Sequence, residues 1–112
     1  MSLTAKQSEF TANISRFIAW CHDEGYPVIL AEAFRPPEMA KLYEEQGKGI
    51  SNSNHCNKLA VDLFRYKDGT VTWDPYEYEK IGLQWESTHP LARWGGRFND
   101  YVHFSFEHNG VK

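Results

Sequence analysis

Asp62 lies inside LAVDLFRY, residues 59–66, a run that is otherwise mostly apolar and predicts a β-strand. A carboxylate within such a strand is costly to bury unless it pairs with a cation or binds a metal ion. The fold must therefore bring a partner to Asp62. Arg35 or Arg65 could pair with it, and so could a metal ion held together with histidines.

Two histidines stand where they could share a site with this carboxylate. His55 ends a polar loop just before the strand of Asp62, where a side chain can face a cleft. His103 lies in YVHFSFE, residues 101–107, on the face opposite to the alternating phenylalanines. Two histidines and one carboxylate can hold zinc and leave its fourth position open for water. Asp100, three residues before His103, is placed to accept a proton from that water.

Each of these residues also has a purely structural interpretation. A histidine in a strand is commonly a hydrogen-bonded structural residue, and Asp62 could cap a turn or pair with an arginine. Asp100 beside Asn99 is typical of a turn before a strand. Spacing alone does not bring the two clusters together in space, so a structural domain without a metal stays open as an alternative.

The rest of the sequence predicts an α+β fold in which helices pack on a mostly antiparallel sheet. Apolar residues from Phe10 to Cys21 recur at three- and four-residue spacing, which predicts a helix that stops near Gly25. The Gly- and Trp-rich segment 87–100 is predicted to be a loop. Further helices are predicted at 36–47 and 74–85, and strands at 28–34, 59–66, 71–73 and 101–107.

Composition narrows the classes of partner. A length of 112 residues is enough for one domain with one modest core, and we expect a monomer. The formal net charge of −3 and the lack of a basic stripe argue against nucleic acid as a partner. No apolar run approaches the roughly 20 residues that span a bilayer, and the first ten residues lack the apolar core of a signal peptide. We therefore expect a soluble, cytoplasmic protein without a membrane partner, and no disulfide between Cys21 and Cys56.

Two motifs, SNHCNKLAVD at 53–62 and DYVHF at 100–104, stand in this order along the chain. Together they resemble the signatures of the D-alanyl-D-alanine carboxypeptidase family of zinc peptidases, which includes VanY-like carboxypeptidases and phage L-alanyl-D-glutamate endolysins. The upstream stretch FRPPEMAKLYEEQGKG is similar to the family's segment with an arginine, a helix and Leu-Tyr-x-Gln-Gly. The WGG segment at 94–96 resembles the endolysin branch, and the whole resemblance covers roughly residues 28–106.

The resemblance implies a zinc site in which His55, Asp62 and His103 are the ligands and Asp100 is the general base. An aspartate ligand lowers the net charge of the site relative to three histidines, so the water is activated less strongly and a nearby base is more necessary. Three protein ligands also argue against a purely structural zinc site, which normally closes with four.

The resemblance further implies that Arg35 stabilises the oxyanion or anchors the substrate, and that Ser53 supports the site through hydrogen bonds. One position departs from the family pattern. Lys58 occupies the place where the family usually has glycine, so we expect a reshaped backbone there and a cationic side chain near the mouth of the site.

The implied function is the cleavage of peptidoglycan stem peptides that contain D-amino acids, by a single zinc peptidase domain at residues 1–112. Two bonds compete: L-alanyl-D-glutamate and the terminal D-alanyl-D-alanine. The short chain, the missing signal and the WGG segment favour the phage endolysin, which would reach the wall through a membrane pore. A non-catalytic zinc-binding module of the same fold, as in the hedgehog signalling domain, is the alternative that Asp100 argues against. The aromatic residues that could either line the peptide cleft or pack in the core are Trp85, Trp94, Phe98 and Tyr101.

Overall fold

Three α-helices and five strands form the described part of the chain, which comprises residues 1–49 and 52–112 of this computed structural model. The helices are α1 (Leu3–Asp23), α2 (Pro37–Glu45) and α3 (Pro75–Ser87), and a short 3-10 helix spans Gly95–Phe98. The strands are β1 (Val28–Leu30), β2 (Ala60–Lys67), β3 (Thr70–Thr72), β4 (Ala92–Trp94) and β5 (His103–Phe106). The strand pairs between these elements are all antiparallel, so the predicted α+β fold class is confirmed.

The long strand β2 organises the sheet, whose order is β1-β2-β5-β4 with β3 beside the second half of β2. The first half of β2 pairs with β5, and this register places Asp62 opposite His103. The second half turns into β3 through Asp68 and Gly69, whose φ angles are 53° and 83°. Two successive positive φ angles are typical of the tight hairpin turn that the Asp-Gly pair predicts.

Helices α1 and α3 supply the aromatic side chains that cover one face of this sheet. Phe17 of α1 packs on Phe104 of β5 with ring centroids 5.5 Å apart. Trp85 of α3 stacks against Phe106 at 5.9 Å. Burial of each such side chain contributes about 1.5–3 kcal/mol to stability. Because side chains alternate along a strand, the opposite face of β2 and β5 is left for polar residues.

Several predicted boundaries differ from the structure. Strand β1 stops at Leu30 rather than at residue 34, because Ala31 N and Glu32 O both bond to the backbone of Asp62, so two residues oppose one and the regular ladder ends. Strand β5 begins at His103 rather than at residue 101, because Asp100 O accepts a hydrogen bond from His103 N at 3.0 Å in a turn. The predicted loop 87–100 contains strand β4 and the 3-10 helix, which are too short for the sequence pattern to distinguish from a loop.

The other predicted elements are present, with ends shifted by a few residues at most. Helix α1 begins at Leu3 after Ser2 as its N-cap, and α3 begins at Pro75 after Asp74. The Asp74 side chain accepts a hydrogen bond from the backbone N–H two residues later at 3.1 Å, as a capping residue does. Of the predicted polar loop 50–54, the first two residues lie outside the described residues.

Two further expectations concern the chain as a whole. Cys21 and Cys56 are not joined by a disulfide. Among residues 1–49 and 52–112, no helix has the length and apolar character needed to cross a membrane.

Candidate metal centre

The polar face of the sheet brings the two sequence clusters together. Asp62 on β2 and His103 on β5 are cross-strand partners, so their side chains leave the sheet on the same face. His55 enters from the turn that precedes β2, where Leu59 N donates to Asn54 O at 2.9 Å. Three separate segments of the chain thereby point their side chains at one place.

His55, Asp62 and His103 form a tight group. Each offers one ligand atom, and these atoms all lie within 4.8 Å of one another. Oδ1 of Asp62 is 3.2 Å from Nε2 of His55 and 3.8 Å from Nδ1 of His103. Both histidines are buried, with 2% and 4% of their surface exposed, and Asp62 is partly buried.

The outer nitrogen of each imidazole faces a backbone carbonyl. Nδ1 of His55 is 2.9 Å from the oxygen of Ala33, and Nε2 of His103 is 3.2 Å from the oxygen of Lys112. A carbonyl oxygen can only accept, so in each ring the outer nitrogen carries the hydrogen and donates it. In the neutral rings the inner nitrogens are then left with lone pairs that face the group.

While both imidazoles are neutral, the centre of the group lacks a positive charge. Oδ1 of Asp62 is buried and has no hydrogen-bond partner among the described residues. The inner nitrogens of two neutral imidazoles offer it no hydrogen, and an unpartnered buried carboxylate oxygen is costly. A cation at this place would satisfy all three atoms at once, and two imidazole nitrogens with one carboxylate oxygen are a donor set that suits zinc. The residues present therefore fit a metal ion, and the group could hold one.

The two imidazoles respond differently to their surroundings. Burial, and then the nearby His55, lowers the pKa of His103 to about 4, so this ring is neutral around neutral pH. Burial also acts to lower the pKa of His55, but the adjacent Asp62 carboxylate outweighs it, and the pKa lies above its ordinary value. Because a metal binds the neutral ring, binding here would compete with protonation of His55.

Asp100 lies at the open edge of the group. Its Oδ2 is 4.0 Å from Nδ1 of His103, and its side chain is 52% exposed. The pKa of Asp100 lies above its ordinary value, mainly because the carboxyl group is partly desolvated and secondly because of the nearby charge of Asp62. The 3-10 helix fixes its backbone, since Asp100 N donates to Gly95 O at 2.8 Å. The carboxylate is thus close to the candidate ligand group, reachable from solvent and more basic than an ordinary aspartate.

Arg35 reaches the same cleft already paired with a carboxylate. Its Nε donates to Oε1 of Glu32 at 2.9 Å, and its Nη2 donates to the same oxygen. The guanidinium also lies over the ring of Tyr43, 5.2 Å from the centroid. The backbone N–H of Arg35 donates to the backbone oxygen of His55 at 3.1 Å, so the segment of Arg35 is held against the loop that carries His55.

Ser53 and Lys58 shape the loop that carries His55. Oγ of Ser53 accepts a hydrogen bond from the backbone N–H of His55 at 3.2 Å. Lys58 has a φ of 57°, in the left-handed region that favours glycine. The lysine therefore adopts a glycine-type backbone conformation. Its Nζ lies 5.3 Å from the centroid of the Phe34 ring, so its charge rests against that ring.

A cleft of about 250 Å³ opens at the group of His55, Asp62 and His103. Of the four aromatic residues considered from the sequence, only Phe98 borders it, with its ring centroid 5.7 Å from that of His103. Trp85 and Trp94 are buried in the core instead. Tyr101 packs against Tyr78 with centroids 4.7 Å apart. The cleft wall is therefore less aromatic than the sequence allowed.

The sequence motifs did not include the groups that form hydrogen bonds to the site residues. Glu32 holds Arg35, and the carbonyls of Ala33 and Lys112 accept hydrogen bonds from the two imidazoles. Opposite charges three residues apart are a signal of pairing only within a helix, and this segment was predicted as a strand, so the Glu32–Arg35 pair had no recognisable pattern. The two carbonyls have no side-chain signature, since any residue could supply them.

Comparison of the fold with solved structures finds a peptidase. The crystal structure of the L-Ala D-Glu endopeptidase ChiX from Serratia marcescens matches with a TM-score of 0.65 and 21% sequence identity, covering 73% of this chain and 68% of that chain. No protein-family model and no curated protein matches the sequence. At this identity the likeness shows the fold, and the chain accordingly has the α+β fold of an L-Ala D-Glu endopeptidase.

Proposed function

We propose that residues 1–112 form a zinc-dependent peptidase domain that cleaves peptidoglycan stem peptides at the L-alanyl-D-glutamate bond. One observation carries the proposal: the ligand atoms of His55, Asp62 and His103 converge around a buried oxygen that has no hydrogen-bond partner among the described residues. This group stands on a fold shared with an L-Ala D-Glu endopeptidase. The resemblance of the two sequence motifs to the same class of enzyme supports the proposal independently.

In this proposal His55, Asp62 and His103 would hold a zinc ion, which would supply a Lewis acid and a water of lowered pKa. Asp100 would accept the proton that this water loses when the water attacks the scissile carbonyl. The same carboxyl group then delivers that proton to the leaving amine. The raised pKa of Asp100 suits this double task, because the group has to gain and lose a proton in each turnover.

Arg35 is the proposed partner of the negative charge that develops on the scissile carbonyl oxygen. Its side chain lines the cleft and is only 13% exposed. A cation already held in place by Glu32 needs little reorganisation when that charge appears, which is the condition for strong electrostatic stabilisation. Ser53 contributes indirectly, by holding the backbone of His55 through its hydroxyl group.

Asp100 favours a hydrolase over a non-catalytic zinc module. A module needs the three ligands, but it has no use for a solvent-open carboxylate of raised pKa beside them. The D-alanyl-D-alanine carboxypeptidase reaction remains the competing specificity, since it would use the same ligands and the same base. The product of the reaction separates these two activities.

The test is digestion of purified peptidoglycan with the protein as isolated, with a zinc chelator, and with zinc added back. Mass spectrometry of the soluble products is expected to find fragments with a new amino-terminal D-glutamate, in a zinc-dependent manner. Free D-alanine as the product would indicate the carboxypeptidase instead. Asp100→Asn is the control for contaminating hydrolases.

Two outcomes contradict the proposal. A protein that binds zinc but releases no peptide under any condition would be a zinc-binding module. A protein that binds no zinc in metal analysis would be a structural domain, and the group of His55, Asp62 and His103 would then need another explanation.

A further inference from the structure

Residues 107–112 fold back against strand β5, and we call them the return turn. His108 and Val111 exchange both backbone hydrogen bonds at 2.9 Å. The two residues between them have φ angles of 51° and 80°, typical of a two-residue hairpin turn. This geometry brings the carbonyl oxygen of Lys112 to 3.2 Å from Nε2 of His103.

Asn54 holds the return turn in place. Its side chain is completely buried, and its Nδ2 donates to Phe106 O at 3.1 Å and to Val111 O at 2.7 Å. One amide group thus connects the end of strand β5 to the return turn. Asn54 also directly precedes His55, so the same residue links the segments that carry two of the three ligands.

We propose that Asn54 is a positioning residue of the metal centre, which acts on His103 through the return turn. The carbonyl of Lys112 accepts the outer N–H of His103, fixes the plane of the ring and leaves the lone pair of Nδ1 on the side of Asp62. Loss of the Asn54 hydrogen bonds would release the turn, and with it the acceptor that orients the ring. The inference rests on the proposed metal site and adds to it a residue outside the ligand set.

Three variants test this role. Asn54→Ala removes the hydrogen bond to Val111 O in the return turn, together with the one to Phe106 O at the end of β5. Gly110→Ala strains the turn at its exposed tip, because a φ of 80° disfavours alanine while the added Cβ would meet nothing within 4 Å. Asn13→Ala is the matched control, since Asn13 is also a buried amide, and its Nδ2 donates to Oγ1 of Thr88 at 2.9 Å, away from the cleft.

Two measurements are made on each variant. Competition with a chromophoric chelator gives the zinc affinity, and NMR of the imidazole nitrogens in the metal-free protein gives the tautomer of His103. We expect Asn54→Ala to weaken zinc binding by about 10- to 100-fold and to reduce the population with hydrogen on Nε2. Gly110→Ala should act in the same direction more weakly, and Asn13→Ala should retain wild-type values. Wild-type zinc affinity in folded Asn54→Ala and Gly110→Ala proteins would overturn the inference, as would hydrogen on Nδ1 of wild-type His103.

Failure of this inference can be told apart from failure of the proposed function. If zinc binds and wall peptides are cut while Asn54→Ala and Gly110→Ala behave as wild type, only the role of Asn54 is wrong. If the wild-type protein binds no zinc, the proposed peptidase is wrong, and the tautomer of His103 still decides whether Asn54 positions the ring. If Asn54→Ala does not fold, Gly110→Ala decides between the outcomes.

Discussion

Nε and Nη2 of Arg35 both donate hydrogen bonds to the same oxygen of Glu32, Oε1. Glu32→Gln weakens both hydrogen bonds and leaves the guanidinium less firmly placed in the cleft. We expect the turnover of wall peptides to fall by about 10- to 100-fold, since small displacements of a catalytic group have effects of this size. The free energy of unfolding should change by less than about 1 kcal/mol, because the pair is partly exposed.

Glu86→Gln is the matched control for this prediction. Arg97 likewise donates from Nε and Nη2 to Oε1 of Glu86, at 3.2 and 2.7 Å, but this pair lies outside the cleft. Steady-state kinetics should therefore distinguish the two variants. Equal losses of turnover in both would remove any special role for Glu32.

Asp100→Asn tests the proposed base. The substitution removes the group that accepts a proton but leaves the three proposed ligands untouched, so zinc content should remain near that of the wild type. Turnover is expected to fall by about 10²- to 10⁴-fold, the usual contribution of a general base. Metal analysis and the rate of peptide release, measured on the same preparation, check both expectations. A wild-type rate would exclude Asp100 as the base.

His103→Ala tests the ligand group through stability as well as activity. In the wild type, zinc at about 100 times its dissociation constant should raise the free energy of unfolding by about 2.7 kcal/mol. This increment should disappear in His103→Ala, together with peptide release. His89→Ala is the control, since His89 pairs with Glu9 at 3.2 Å outside the cleft and should leave the zinc effect unchanged. Full zinc stabilisation of His103→Ala would show that His103 is not a ligand.

Gly95→Ala is predicted to affect mainly zinc binding, and Gly96→Ala mainly the stability of the fold. A Cβ at residue 95 would lie 2.0 Å from the carbonyl oxygen of Asp100 and 2.7 Å from Cβ of His103, so Gly95→Ala should displace both and weaken zinc binding. A Cβ at residue 96 would instead lie 2.2 Å from the buried ring of Trp94. Gly96→Ala should therefore cost about 1–3 kcal/mol of stability through overpacking.

Zinc affinity and thermal unfolding, measured on both glycine variants, separate these effects. The prediction requires a larger loss of zinc affinity in Gly95→Ala than in Gly96→Ala at comparable loss of stability. Equal zinc affinities in the two folded variants would contradict it.

Glu77 is predicted to stabilise the fold in a pH-dependent way. A hydrogen bond from Lys80 is the largest of the causes that lower the pKa of Glu77 from 4.5 to about 2; burial opposes the shift, and a hydrogen bond from Lys67 adds to it. Oε1 of Glu77 also accepts a hydrogen bond from Nη2 of buried Arg65 at 3.2 Å. A lowered folded-state pKa means that this stabilisation is complete above the ordinary pKa and is lost as the pH falls towards the folded-state value. Glu77→Gln should cost about 2 kcal/mol at neutral pH and progressively less in acid.

Urea unfolding of the wild type and of Glu77→Gln, from about pH 7 down to about pH 2.5, checks this dependence. The difference between the two proteins should shrink as the pH falls below 4.5. A difference that stays constant over the whole range would mean that the Glu77 charge is not the stabilising feature.

The parts of the fold that could be predicted are those with a local signal. The spacing of Phe10 and Phe17 gave the apolar face of α1, and both are buried. The two-residue alternation of a strand placed His103 opposite to Phe104, which is why it could be expected on the polar face. The pairing of Asp62 with His103 across the sheet needed the register of β2 and β5, which only the three-dimensional structure supplies.

The parts that could not be predicted depend on contacts between distant segments. The sequence presented Asn54 only as a polar residue of a loop. In the structure its side-chain amide donates hydrogen bonds to the backbone carbonyls of Phe106 and Val111, more than 50 residues later in the chain. Strand β4 escaped notice because three residues, one of them Arg93, carry too little periodicity. Arg65 was a candidate partner for Asp62, but strand alternation turns it to the opposite face, where it pairs with Glu77.

Lys58 combines a backbone angle that favours glycine with a long cationic side chain. Its φ of 57° costs a residue with a Cβ roughly 1–2 kcal/mol, and this chain nevertheless tolerates it. The position therefore encodes a backbone angle rather than an absence of side chain, and the lysine finds room by lying over Phe34. A pattern search that insists on glycine would pass over such chains, whereas one that fixes only the spacing of His55 and Asp62 would retrieve them.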